Sequence, residues 1–551
     1  MVTAARGAVS GASASTPPRR KGAARAISAE ELRKYSFLTA VCHEEHEAYY
    51  PTDGGAYLDR SYFHPAGLED VRGYWRKTVR LIRQGKAPRE IGLYIHWPFC
   101  LSRCAFCFCA MCLTSSRGEF RRYNLMLKRE MEALRDVFAE VDFHSIYLGG
   151  GTPSLMPSDL LRELFQLIRD SFRLERDAEI YMEASPATLT PEKLECMRSL
   201  GVNHVTLGVQ SLDNLILHKA NRVGQNQDNV RQSAALLTRH ADMISAADLM
   251  YGLDGQSDDS FLRDFIGMLK AHPRNLRVYA FDPRVQTAFS ELGRRPADGL
   301  RERQWRMSEE LDRLAQRCGY RPAPLDPEEP EYLTAITRQC RMARKWGASV
   351  LGIGMSALSH AFGAAWYGHP AFVQPSSNRQ QGAPRDWNGL PPFYSLESSL
   401  NEEMRGFVIR HLHTQSRVSR PGFKNVFGQD PLAVAALQRA LADLAAAGKV
   451  RIDSGYIRFL SKDRTERLVY CKHLFSPKLT SALLRGNRAK YRDFNRRFTD
   501  AQVRSLEAVA DKRVASMMRM YYRPAAAKPK WFSRAMESEN VCRLQRNGQP
   551  A

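Results

Sequence analysis

The chain has 551 residues, of which 44% are hydrophobic and 10% aromatic. It is too long for a single core, so one large catalytic domain with appended modules is expected. No apolar run reaches the roughly 18 residues of a membrane span. The net charge is +22, and eleven cysteines, an odd number unevenly placed, occur without a signal peptide's apolar stretch. That pattern argues for a reducing compartment, taken as the cytoplasm, with metal or redox chemistry.

Residues 1–28 carry Arg6, Arg19, Arg20, Lys21 and Arg25 without an acidic residue, among Ala, Ser and Gly. They read as a disordered basic tail, with an organellar transit peptide as the alternative. Residues 29–90 read as a helical and loop extension bearing Tyr49, Tyr50, Tyr57 and Tyr62. From 91 to 300, short apolar runs alternate with helical patterns. The strand candidates are Ile91–Trp97, Ser145–Leu148, Glu179–Glu183, His204–Val209, Ser245–Met250 and Arg277–Phe281, separated by helices such as Phe120–Phe138 and Leu160–Phe172. Such alternation predicts an α/β fold with a parallel sheet, and six strands predict a partial (β/α)6 barrel with its chemistry at the strands' C-terminal ends.

Residues 301–400 form a substrate-side segment. Within it Arg301–Cys318 and Thr334–Trp346 read as helices, VLGIGMSALSH at 350–360 as a Gly-rich strand and turn, and Val373–Pro392 as a loop. Residues 401–475 read as a winged-helix-like domain, with helices at Glu402–His413 and Leu432–Ala447 and a hairpin turning at Ser454-Gly455. Residues 476–551 are a basic extension, with seventeen Lys or Arg against six Asp or Glu from Lys478 to Arg546. A basic patch attracts nucleic acid, anionic membrane surfaces or acidic substrates, but a solvated tail explains it equally well, and no nucleic-acid-binding motif accompanies it. No internal repeat is evident.

The first strand ends in YIHWPFCLSRCAFCFCAMC, residues 94–112, with cysteines at 100, 104, 107, 109 and 112. Zinc normally takes four ligands, often as two distant pairs, and no second pair is evident. Three thiolates on one short loop suit three corners of a [4Fe–4S] cluster, which leaves the fourth iron open to bind and reduce a small molecule. Downstream lie GGGTPS at 149–154, whose glycines let backbone approach a ligand, then Glu183 in YMEASP, Gln210 in LGVQS, Arg222, and Asp248 in DLMYG. Each has a plain structural alternative: a tight turn, an exposed carboxylate, or a mutually satisfied polar cluster.

CxxxCxxC after a strand resembles the radical S-adenosylmethionine (SAM) superfamily. The surrounding YIHWPFC…CAFCFC, with Tyr94, His96, Pro98 and Cys109, resembles its branch containing oxygen-independent coproporphyrinogen III oxidase. The resemblance implies that Cys100, Cys104 and Cys107 ligate the cluster, with Cys109 nearby and Cys112 unassigned. It implies that Tyr94, Gly150, Glu183 and Leu358 surround a first SAM, the Gly run meeting its amino group and Glu183 its ribose. Phe106, Gly151, Thr152, Gln210, Arg222 and Asp248 would line a second, with Gln210, Arg222 and Asp248 as the catalytic set. An electron donor such as flavodoxin or ferredoxin and an acidic or aromatic small-molecule substrate follow as implied partners.

The resemblance spans roughly 45 to 475 and weakens where substrate is chosen: a Gly-Tyr-Thr-Thr-Gln run expected there is replaced by GYRPAPLDPEEPEY and QCRMARKWGAS. The expected activity is oxidase-like chemistry on a tetrapyrrole propionate. A class C radical SAM methyltransferase or cyclopropane-forming enzyme on an aromatic or heterocyclic substrate is the first alternative, and a heme chaperone without turnover the second.

Overall fold

The computed structural model describes residues 64–281 except 108, 110 and 241, then 311–322, 331–333, 348–369, 387, 389–461, 470, 471 and 473–476. The tyrosines at 49, 50, 57 and 62, the helix expected at Thr334–Trp346, most of the 373–392 loop and the basic extension lie outside these residues.

The chain enters through strand β1 (His64–Ala66) and helix α1 (Leu68–Arg83). The alternating unit follows: β2 (Ile91–Trp97), the short pair β3 (Phe99–Cys100) and β4 (Cys112–Leu113), α2 (Arg117–Leu134), β5 (Asp142–Gly150), α3 (Ser158–Ser171) and β6 (Arg173–Ala184). It continues through α4 (Pro191–Ser199), β7 (His204–Gln210), α5 (Asn214–Lys219), α6 (Gln227–Thr238), β8 (Ile244–Tyr251), α7 (Asp258–Ala271) and β9 (Asn275–Ala280). The helix expected to reach Phe138 stops at Leu134 and tightens into a 3-10 turn over Arg135–Phe138.

Strands β2, β5, β6, β7, β8 and β9 pair in that order, all parallel. Helices with one apolar face cover them, as a parallel sheet requires. Two short strands then extend the β9 side, β10 (Arg321–Pro322) and β11 (Glu331–Leu333), both antiparallel. On the other side β12 (Ser349–Ile353) lies parallel to β2, making a seventh parallel strand beyond the six expected. Antiparallel strands β13 (Leu358–Ala361), β14 (Ala365–Gly368) and β15 (Phe393–Glu397) follow, and β15 pairs back with β1. The result is a thirteen-stranded sheet with a parallel centre, in which β12 and β9 do not pair, so the barrel is open among the described residues.

The main core fills the space between sheet and helices and includes Trp75, Trp97, Phe99, Phe120, Tyr123, Phe138 and Phe143, each at most 2% exposed. A second core lies under α8 (Leu400–Gln415), α9 (Arg420–Phe427) and α10 (Ala435–Ala446), with the sheet of β16 (Arg417–Ser419), β18 (Tyr456–Phe459) and β17 (Val450–Ile452). This helix–strand–helix–helix–hairpin order is winged-helix-like, and Asp453 closes the hairpin by accepting from the amides of Gly455 and Tyr456. Buried Glu403 on α8 joins the two cores, accepting from the Gly363 amide at 3.0 Å and lying 3.1 Å from His360 Nε2. Among the described residues no helix is long and apolar enough to cross a membrane.

Candidate active site at the sheet's C-terminal edge

Parallel pairing brings the C-terminal ends of β2, β5, β6, β7, β8 and β12 to one edge. The cysteine loop leaves β2 there and is held by backbone contacts on two sides. Within the loop, β3 pairs with β4, Cys112 N donates to Pro98 O at 2.6 Å, and Thr114 N donates to Cys100 O at 3.2 Å. Across the mouth, Ala105 N donates to Ala220 O at 2.9 Å and Asn221 Nδ2 to Arg103 O at 2.8 Å. Cys112 therefore has a structural place: it is buried in the main core and its backbone closes the loop.

Cys100, Cys104, Cys107 and Cys109 are free thiols inside that loop. Cys100 Sγ lies 3.4 Å from Thr152 Oγ1, and Arg222 Nη1 lies 3.5 Å from Cys104 Sγ. Burial pushes the Cys100 thiol up to about 12 and raises that of Cys104 despite Arg222, whereas the hydrogen bond with Cys109 holds Cys107 low. Thiolates are the metal-binding form, and Arg222 already sets one positive charge beside this group. No three His, Cys, Asp or Glu among the described residues converge on a single ion. A cubane takes each thiolate on a different iron, and cysteines spread along one short loop can supply such a set.

The glycine run packs directly beneath. Gly151 N donates to Trp97 O and Thr152 N to Phe99 O, both at 2.8 Å. A Cβ on Gly151 would stand 2.6 Å from Phe99 O, and one on Gly149 would stand 2.8 Å from Glu183 Oε1. Gly150 has φ +109, and its Cβ would enter the His96 ring at 2.6 Å. A cradle this close to backbone and imidazole admits no side chain.

Tyr94, Gly150 and Glu183 form one connected group. Tyr94 Oη is 2.9 Å from His96 Nδ1, Gly150 N donates to Glu183 Oε2 at 3.2 Å, and Tyr147 Oη donates to Glu183 Oε1 at 2.6 Å. Burial raises the Glu183 carboxyl above its ordinary value even though Tyr147 stabilises the anion. Arg222 connects the cysteine loop to the end of β7: its Nη2 donates to Gly208 O at 2.6 Å and to Gln225 Oε1 at 2.6 Å, and Gln225 Nε2 donates to Val209 O at 2.6 Å. The β7–β8 register shifts between Gly208 and Gln210, Gln210 has φ +65, and its buried Oε1 has no hydrogen-bond partner. A non-glycine residue held in that conformation with an unsatisfied oxygen is a signature of a ligand site.

Asp248 pairs with Arg277 Nε at 3.1 Å, and Arg277 Nη2 donates to Thr206 Oγ1 at 2.8 Å. Sequence reasoning missed Arg277. Its signal was an arginine beside Leu276 and Val278 in a parallel strand, which the register sets directly opposite Asp248. Phe106 packs with Ala105, Ile216, Met250, Leu253 and Phe281 in a small apolar cluster beside the loop. Leu358 is not drawn into this group; it packs against the second core.

Residues 94–265 match the radical SAM superfamily model. A heme chaperone, HemW, of Mycobacterium tuberculosis is 32% identical over 219 residues, 38% of this chain and 55% of that protein. The oxygen-independent coproporphyrinogen III oxidase of Helicobacter pylori is 29% identical over 245 residues, 44% of this chain and 53% of its own length. The chain thus spans about half the length of these relatives. The oxidase of Pseudomonas aeruginosa is 27% identical over 398 residues, 69% of this chain and 84% of that protein. Among solved structures, coproporphyrinogen III oxidase (HemN) from Escherichia coli has the same fold, with a TM-score of 0.61 and 21% identity over 79% of this chain and 99% of that one. The cysteine loop, glycine cradle and Glu183 all fall within residues 94–265, the stretch that matches the radical SAM superfamily model, in a chain similar to oxygen-independent coproporphyrinogen III oxidases.

Proposed function

We propose that this chain is a radical SAM enzyme that abstracts a hydrogen from an anionic, tetrapyrrole-type substrate in an oxidase-like decarboxylation. When bound, a [4Fe–4S] cluster supplies one electron and an open iron for SAM, whose cleavage yields the 5′-deoxyadenosyl radical. Cys100, Cys104 and Cys107 would hold the cluster, with Thr152 and Arg222 beside two of the sulfurs. Glu183 would accept from the ribose and the Gly149–Gly151 cradle would face the amino group, while Tyr94 and His96 keep that wall ordered. Half-buried Arg277 and Arg222, held by Asp248, Thr206, Gly208 and Gln225, would set positive charge at this edge toward an anionic substrate. Apolar Phe106, Met250 and Phe281 limit water at the mouth.

The observation that carries this reading is the orphaned Gln210 oxygen on strained backbone, set between the loop-anchoring Arg222 and the Asp248–Arg277 pair. A site built only to store heme would not require it, whereas a second SAM at this place would occupy it. The missing Gly-Tyr-Thr-Thr-Gln run favours a second reading, methyl transfer to an aromatic or heterocyclic substrate from that second SAM. The test is anaerobic reconstitution with iron and sulfide, followed by SAM, reductant and coproporphyrinogen. Carbon dioxide with 5′-deoxyadenosine supports the oxidase; S-adenosylhomocysteine with 5′-deoxyadenosine supports methyl transfer. Heme retention with neither nucleoside refutes both.

A further inference from the structure

One face of α2 holds two backbone segments of the mouth. Tyr123, Leu127 and Glu130 stand at i, i+4 and i+7 of this helix and are all fully buried. Tyr123 Oη donates to His96 O at 2.6 Å and accepts from Met355 N at 3.0 Å. Glu130 Oε2 accepts from Gly354 N at 2.9 Å, while its Oε1 lies 2.8 Å from Nε2 of buried His369, whose Nδ1 lies 3.1 Å from Pro392 O. The turn that follows β12 closes through Ala357 N to Gly354 O at 3.0 Å. Gly354 has φ +97, and a Cβ there would stand 2.6 Å from Tyr123 Oη and 2.8 Å from His96 O. Because β12 is parallel to β2, this turn emerges at the edge that bears the cysteine loop.

Apolar side chains would pack this interior at less desolvation cost than a carboxylate, an imidazole and a phenol. What the polar set adds is direction: at the mouth its hydrogen bonds fix one carbonyl and two amides, and His369 also reaches Pro392 O. The carbonyl belongs to His96, whose ring covers Gly150 and meets Tyr94, so α2 reaches the Glu183 group through a single residue. None of the three side chains has a hydrogen bond to the thiols or to Glu183 in this arrangement.

We propose that Tyr123, Glu130 and His369 are positioning residues that lock His96 and the 354–357 turn into the arrangement that receives SAM. This rests on the radical SAM reading of the site. The test uses the full chain, reconstituted anaerobically, and measures SAM affinity by equilibrium dialysis together with the electron paramagnetic resonance change of the reduced cluster on adding SAM. Tyr123→Phe keeps the ring and removes both hydrogen bonds of the hydroxyl. It should weaken SAM binding about tenfold, the equivalent of one to two buried hydrogen bonds, with iron content unchanged. Glu130→Leu should lose at least as much, whereas Glu130→Gln, which still accepts from Gly354 N, should stay within about threefold of the parent. A merely structural role would lower the melting temperature of Tyr123→Phe while leaving its affinity and spectrum as in the parent, and that result overturns the proposal. If Glu130→Leu does not fold, Tyr123→Phe decides alone. If the iron-loaded parent itself fails to bind SAM, the functional reading and this assignment fall together, a result distinct from variants that match a competent parent.

Discussion

Gly150→Ala probes the cradle most directly. The residue sits at φ +109, and a new methyl would stand 2.6 Å from His96 Cε1 and 2.7 Å from Nδ1. Two costs arise. Forcing alanine into that backbone region costs about 1–3 kcal/mol. Driving the imidazole aside breaks its 2.9 Å contact with Tyr94 Oη, worth about 0.5–1.5 kcal/mol. Together they amount to about 1.5–4.5 kcal/mol, or roughly 10- to 2000-fold in an equilibrium constant. The assay is urea unfolding of the chain alongside SAM binding by the reconstituted protein. If His96 keeps its place, the cost appears as lost stability; if the ring yields, it appears as lost affinity. The control is Gly73→Ala in α1, where a Cβ meets nothing within 4 Å; it should gain about 0.5–1 kcal/mol by helix propensity. A Gly150→Ala protein that matches the parent in stability and binds SAM within threefold would refute the reasoning.

Cys104→Ala should abolish reconstituted cluster absorbance, whereas Cys112→Ala should keep it and lose about 1–2 kcal/mol of stability, because Cys112 is a core residue; iron analysis and thermal melts check both. Arg277→Met leaves Asp248 without its ion-pair partner and should destabilise by about 2 kcal/mol, less than a fully buried pair because both side chains keep some exposure. Adding Asp248→Asn should recover at least half of that loss in a double-mutant cycle. His204 is held down to about 4 by burial, against some opposition from Glu179. Its Nδ1 lies 2.6 Å from Asn203 Oδ1, and its buried Nε2 has no hydrogen-bond partner. Below its ordinary value near 6.5 the unfolded chain takes the proton more readily, so stability is full above 6.5 and falls as pH drops toward 4, by on the order of 3 kcal/mol. His204→Gln should flatten that window in urea titrations at successive pH values; an unchanged slope would remove His204 as its source.

The six central strands were legible because an apolar run beside a helical pattern marks at least part of each, whereas the charged first half of β6, Arg173–Asp177, carries no such signal. The partner of the first strand was not. VLGIG at 350–354 reads as a Gly-rich strand, but only the three-dimensional path lays it parallel to Ile91–Trp97. At the site, the cysteine spacing and glycine run are local patterns that one loop can carry. The Asp248–Arg277 pair is a product of register between strands, and the Tyr123–Glu130–His369 set joins positions more than 200 residues apart. No local pattern encodes such pairings. Leu358 illustrates the converse: its place in the motif is clear, yet its side chain turns to the winged-helix-like core, since the strand it begins pairs with β14.

The cysteine loop takes its shape from protein hydrogen bonds, anchored at Pro98 on one flank and at Ala220 and Asn221 on the other. Those contacts do not run through a metal, so chelation of a reconstituted protein should leave a chain that refills with iron and sulfide, unlike a zinc finger, which folds only around its ion; a chelated protein that unfolds would refute this.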